Sequence, residues 1–199
     1  DIQMICPLHG FVWRRRLGDF IEKYQKWSTY TPEEEGVLIA YGSIYGNTAN
    51  AAEILACKLA AAGKKVAVYD VSATDPSYII AEAFRYSHAV FASSTYNAGI
   101  FVNMENLLHE LAAHNWQNRT ISLVENGSWA ASAGGLMRGL LDGCKNMTLL
   151  PASVTLKSAL REEQLAQLDA VVQEILESMA PAASVAPASG KKIEQNALF

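Results

Sequence analysis

At 199 residues, half of them hydrophobic, the chain is long enough for one full domain with flanking segments. Its formal net charge of −4 argues against a general nucleic-acid binder, and no run of ~18 uninterrupted apolar residues offers a membrane span. Three scattered cysteines, Cys6, Cys57 and Cys144, exclude a disulfide framework or a Cys-rich metal site and point to reduced thiols in the cytoplasm.

The opening residues, Asp1 to Pro7, have no basic stretch ahead of an apolar one and do not read as a secretory signal. With no Met at position 1, the sequence is expected to be a piece of a longer chain. Residues 1–35 predict one short amphipathic helix, LGDFIEKYQKWS, followed by the polar TPEEE. The Arg14-Arg15-Arg16 run reads as a solvated helix start rather than a polyanion site.

From Gly36 onward, short β-branched runs alternate with helical patterns. VLIAY (37–41) predicts a buried strand and Asn47 to Ala62 a helix ending at Gly63. KVAVYDV (65–71) is a second strand, and Asp75 opens a helix over 75–86 with Pro76 at its first position. HAVFASS (88–94) is the third strand, with a helix from Asn103 to Ala113 after it. RTISLVE (119–125) is the fourth, followed by a helix from Gly134 to Cys144. The last strand, 147–157, is interrupted at Pro151, and Arg161 to Met179 carries Leu165, Leu168, Val172, Ile175 and Leu176 at helical spacing. Five strands alternating with five helices predict a parallel α/β sheet covered on both faces, with right-handed crossovers. Strand order is not readable from periodicity. The Ala/Ser/Pro-rich stretch 180–190 predicts a flexible linker, so the natural protein is expected to continue past Phe199.

Ligands of open parallel sheets bind beyond the carboxyl ends of the strands, and three such ends here are rich in small polar residues. The first is Ser43-Ile44-Tyr45-Gly46-Asn47-Thr48, at a helix start where backbone N–H groups and the helix dipole favour an anion. Ser43, Asn47 and Thr48 add side-chain donors, and no lysine or arginine accompanies them. That set suits one terminal phosphate dianion; the lysine of a P-loop and the glycines of GxGxxG are both missing. The bland alternative is a well-capped helix after a tight turn. The second end is Ser93-Ser94-Thr95-Tyr96-Asn97-Ala98-Gly99 and the third Asn126-Gly127-Ser128-Trp129, each pairing an aromatic ring with hydroxyl and peptide groups. Singly, either aromatic reads as surface packing; together they can sandwich a planar ring while backbone groups bond its polar edge.

The first loop resembles the Ser/Thr-x-Tyr/Thr-Gly-Asn-Thr fingerprint of flavodoxin-like proteins, over roughly residues 36–179. The resemblance implies a three-layer sandwich whose five-stranded parallel sheet has the order 2-1-3-4-5, and it implies FMN as cofactor. Ser43, Ile44, Tyr45, Gly46, Asn47 and Thr48 would then take the phosphate. Ser94, Thr95, Tyr96, Asn97, Ala98 and Gly99, with Asn126, Gly127, Ser128 and Trp129, would flank the ring and ribityl chain. Many relatives carry Gly-Ser-Tyr-Gly-Trp-Ser-Gly in the third loop, so the tryptophan here sits earlier relative to Gly-Ser.

Upstream, ICPLHGFVWRRRLGDFIEKYQKWS is similar to the segment joining the two domains of flavodiiron proteins, which follows a metallo-β-lactamase-like domain. Its Cys-x-x-His-Gly-x-x-Trp-Arg pattern maps onto Cys6, His9, Gly10, Trp13 and Arg14, and makes His9 the counterpart of a di-iron ligand. The remaining ligands, an H-x-E-x-D-H cluster with a further His and Asp, do not occur, so no metal site is expected in this chain. His88, His109 and His114 read as structural or solvated.

The chain divides, on this reading, into 1–35 (linker and remnant), 36–179 (FMN domain) and 180–199 (linker to a further domain). NALF near the end resembles the opening of flavin-reductase-like domains. The resemblance implies an electron relay, from a rubredoxin or flavin-reductase-type donor to the di-iron centre of a head-to-tail homodimer that reduces O2 or NO. Two rivals stand beside it: an FMN-dependent NAD(P)H:quinone or flavin reductase, and a flavin-free flavodoxin-like interaction domain.

Overall fold

The computed structural model describes residues 2–180. Helix α1 (Leu17–Ser28) leads into strand β1 (Glu34–Gly42), helix α2 (Asn47–Ala61), β2 (Val66–Asp70) and α3 (Pro76–Arg85). Strand β3 (Tyr86–Tyr96) turns back through the two-residue β4 (Gly99–Ile100) before α4 (Val102–Ala113). Strand β5 (Thr120–Asn126), α5 (Ala133–Leu141), β6 (Thr148–Leu156) and α6 (Glu162–Met179) complete the order. The linker expected over 180–199 lies, from residue 181 on, outside the described residues. No helix among the described residues is long and apolar enough to cross a membrane.

The sheet runs β2-β1-β3-β5-β6, with every neighbouring pair parallel. Counting the parallel strands alone, this is the 2-1-3-4-5 order implied by the flavodoxin resemblance. Strand pleating sends alternate residues to opposite faces, so Val37 and Ile39 of β1 face one core while Leu38 and Ala40 face the other. Helices α2 and α6 seal the first face through Leu55, Leu59, Leu168 and Ile175. Helices α3, α4 and α5 seal the second through Ile79, Leu107, Leu111 and Met137. Burial on both faces is why the strands read as unbroken apolar runs.

Three details depart from the sequence reading. Strand β4 is an addition: it pairs antiparallel with β3 through Asn97 and Ala98, both at positive φ (50° and 58°). Hairpin turns of that hand favour Asn but not Ala, so Asn97-Ala98 carries only half a turn signal. Helix α5 ends at Leu141, short of Cys144, where the poor helix formers Asp142 and Gly143 follow. Pro151 does not end β6; the register slips there, Ile121 facing Leu149 and Leu123 facing Ser153, on an edge strand where a missing N–H is tolerated.

Candidate functional site

The strand order reverses between β1 and β3, and the crevice this opens lies beyond their carboxyl ends. A cavity of about 110 Å³ occupies it, lined by residues that include Ser43, Thr48, Ser94, Asn126 and Ser158. No lining residue carries a charge of either sign. Typical small-molecule pockets measure about 300–1,000 Å³, so this small, partly open space fits one compact polar group rather than a fused ring.

Helix α2 presents its amino terminus to the cavity. Gly46 precedes it at φ 83°, a left-handed conformation that glycine adopts without steric cost. No side chain caps the helix, and the first bond within it runs from Asn50 N–H to the Gly46 carbonyl. The N–H groups of residues 47–49 therefore have no acceptor in the helix. The reading of these hydroxyls as caps is thus not what the fold uses them for. Thr48 is fully buried and shares a 2.9 Å hydrogen bond with the Ser94 hydroxyl, so the pair has one hydroxyl proton left to donate. The Ser43 hydroxyl is buried with no partner at all. A buried polar atom left unpaired costs about 1–3 kcal/mol; Ser122 Oγ on β5 shares that state, and what sets Ser43 apart is its place in the cavity lining, where a ligand can reach it.

The second and third loops are knitted together. Thr95 Oγ1 accepts from the N–H groups of Ser132 (3.1 Å) and Ala133 (3.3 Å), and Ser132 donates to the Ala98 carbonyl at 3.0 Å. Gly127 sits where a Cβ would meet Ala131 Cα at 2.7 Å, so only glycine lets the two loop segments approach. Asn126 turns its amide away from open solvent: Nδ2 donates to the Ser158 carbonyl (2.9 Å) and Oδ1 accepts from the Ser158 N–H (3.0 Å).

Three aromatic residues of these loops stand in the open. Trp129 is 99% exposed, Tyr45 89% and Tyr96 53%. Exposed rings beside a small neutral, donor-rich cavity suit a ligand with a compact anionic end and a planar end. The chain thus gathers Ser43, Ile44, Tyr45, Asn47, Thr48, Ser94, Thr95, Asn126, Gly127 and Ser128 around one cavity. Gly46, Tyr96, Asn97, Ala98, Gly99 and Trp129 lie in the same loops but not in its lining.

Ser158, after β6, is a lining residue that sequence reasoning missed. Its signal is a backbone at φ 72°, unusual for serine and invisible in the string Lys157-Ser158-Ala159. His9 is exposed in the segment before α1, near the bridge that pairs Ile5 with Trp13. Among the described residues no three His, Cys, Asp or Glu side chains gather to hold a metal ion.

A family model described as flavodoxin matches residues 39–138. The anaerobic nitric oxide reductase flavorubredoxin of Escherichia coli is 27% identical over 134 residues, which is 66% of this chain and 28% of that protein. In structure, the rubredoxin oxygen:oxidoreductase of the anaerobe Desulfovibrio gigas superposes with a TM-score of 0.82 at 22% identity, covering 88% of this chain and 44% of that one. A flavodoxin of Streptococcus pneumoniae superposes with a TM-score of 0.63 at 21% identity, covering 71% of this chain and 98% of its own. The chain spans about a quarter of the length of the relatives it matches by sequence.

Proposed function

The chain belongs to the flavodoxin family, matched over about half its length, and from that premise we propose that it is an FMN-binding electron-transfer domain of a flavodiiron-type protein. The observation that carries the proposal is the buried, unpartnered Ser43 hydroxyl in a charge-free cavity at the start of α2. The donor set fits a terminal phosphate: N–H groups at a helix start, neutral hydroxyls, and no cation to demand a polyphosphate. Bound there, FMN supplies the redox chemistry, accepting electrons in pairs or singly and releasing them one at a time.

The chain's own residues do the rest. Ser43, Thr48 and the α2 amino terminus hold the phosphate, and the hydrogen bond to Thr48 draws Ser94 to the phosphate from the ring side expected for it in sequence. Tyr96 and Trp129 flank the ring. The bonds from Ser132 and Ala133 to Thr95 keep their two loops in one orientation. With Tyr96 and Trp129 in solvent, the planar end stays close to the surface, where a partner protein can approach it.

Residues 1–35 support the flavodiiron part of the reading. The likeness to the D. gigas oxidoreductase covers 88% of the chain, that to the free-standing flavodoxin 71%. Helix α1 buries none of its residues, and Leu8, Phe11, Val12, Tyr24 and Trp27 are all exposed. An apolar surface of this kind marks an interface, and the occupant we assign is a preceding metallo-β-lactamase-like domain carrying the iron. The relay then runs from a rubredoxin or flavin-reductase-type donor, through this domain, to the di-iron centre of a partner subunit in a head-to-tail homodimer. The domain completes neither O2 nor NO reduction alone.

Stopped-flow mixing of the FMN-loaded chain tests the relay. Reduced rubredoxin or a flavin reductase system is expected to bleach the flavin band, and NAD(P)H by itself to leave it unchanged. Steady NAD(P)H oxidation by the chain with a quinone would instead assign it as a reductase.

A further inference from the structure

The three loops of the FMN reading come from β1, β3 and β5, yet the cavity has a contributor from a fourth strand end. We infer that Ser158, just past β6, is a phosphate ligand of this site and that Asn126 is the positioning residue that holds it there; the inference rests on the FMN reading above.

Ser158 adopts φ 72°. A side chain with a Cβ is strained in that region by about 1–2 kcal/mol in regular structure, and such strain persists only where surrounding contacts impose it. Here the contact is a two-bond clamp. The Asn126 amide donates to the Ser158 carbonyl and accepts from the Ser158 N–H, at 2.9 and 3.0 Å, from a side chain that is almost wholly buried. Both functions of the amide are therefore spent on the backbone of one residue, which fixes the orientation of that residue as well as its position. The serine so held contributes to the lining of the cavity that contains the orphan Ser43 hydroxyl. Asn47 Nδ2 reaches Ser158 Oγ at 3.5 Å as a donor. Because Oγ accepts from Asn47, its own proton is free to be donated to an anion.

Asn126 on this account acts through Ser158 rather than by touching the ligand. The second consequence is selectivity. Ser158 is exposed to solvent on one side and lines the compact cavity on the other; a hydroxyl that bonds the phosphate and not the ring separates FMN from riboflavin.

The test is a fluorescence-quenching titration of the full chain with FMN and with riboflavin, for wild type, Ser158→Ala and Ser158→Gly. Glycine accepts the left-handed backbone freely, so Ser158→Gly removes the hydroxyl without disturbing the loop, and circular dichroism checks that each variant is folded. Both variants are expected to bind FMN about tenfold more weakly, as for one lost hydrogen bond to a charged group, with riboflavin affinity within about twofold of wild type. FMN affinity unchanged in Ser158→Gly, or equal losses for FMN and riboflavin, would overturn the assignment. If wild type binds no flavin, the FMN reading fails by itself, and calorimetric titration with inorganic phosphate decides the role of Ser158. Phosphate binding about tenfold weaker in Ser158→Gly then supports that role; equal binding, or none to wild type, overturns it.

Discussion

Ser43 and His88 are the residues whose surroundings make the sharpest demands. A buried hydroxyl without a partner costs stability until something bonds it, so Ser43→Ala should act with opposite signs on the two states. The ligand-free chain is expected to melt at the same temperature or higher, by up to ~1 kcal/mol, while FMN affinity falls about tenfold. Thermal melts with and without FMN check both halves. His88 lies buried on β3 with its ring nitrogens 2.7 Å from Ser87 Oγ and 2.9 Å from Ser178 Oγ. Burial lowers its pKa from 6.5 to about 4, with Glu35 pulling it up and Lys64 pushing it down by lesser amounts. The unfolded chain takes up this proton near pH 6.5 and the folded chain only near 4, so stability falls as pH drops through that window and levels off below it. Urea unfolding from pH 7 to 4 should show this fall, and His88→Gln should flatten it. At this scale the sequence was partly legible. The hydroxyls of Ser43, Thr48 and Ser94 stood in loops at strand ends, where their chemistry is plain. The clamp of Asn126 on Ser158 joins residues 32 positions apart and leaves no local trace.

Among the elements, α3 and β5 are tied by a buried cation. Arg119, 2% exposed, donates to the carbonyls of Ala83 (3.2 Å) and Phe84 (2.7 Å) in the last turn of α3. The same guanidinium reaches Tyr30 (2.8 Å), Gln117 (2.9 Å) and Asn118 (3.2 Å), so it stitches the segment after α1 to the sheet. Carbonyls at a helix end lack partners in the helix and favour a cation. Burial lowers the Arg119 pKa to about 10, which still leaves it charged at neutral pH. Arg119→Ala strands several carbonyls at once and is expected to cost at least ~2 kcal/mol in denaturant unfolding. Limited proteolysis should then cut near Tyr30 faster than in wild type. RTISLVE announced a strand, and β5 indeed begins at Thr120. Nothing in that run announced the clasp, because three of its acceptors lie 35, 36 and 89 residues away. Helix α3 shows the reverse case: Asp75 caps it by accepting from Ser77 N–H at 2.9 Å, and the Asp-Pro signal sat in the sequence to be read.

For the whole molecule, alternating apolar runs and helical patterns were enough to read a covered parallel sheet, because burial on both faces writes itself into composition. Strand order was not written there; it followed from the loop fingerprint and its resemblance, and the sheet carries it with one short antiparallel return added. The same topology sets β1 beside β3 and so opens the crevice in which loops distant in sequence meet. The exposed apolar residues of α1 and the segment before it are the surface on which the proposed neighbouring domain would sit. The direct measurement of FMN binding is an absorption spectrum of the purified chain after incubation with FMN and gel filtration, with phosphate analysis of the released chromophore. A retained flavin band with one phosphate per flavin is expected; protein that elutes colourless would contradict FMN binding.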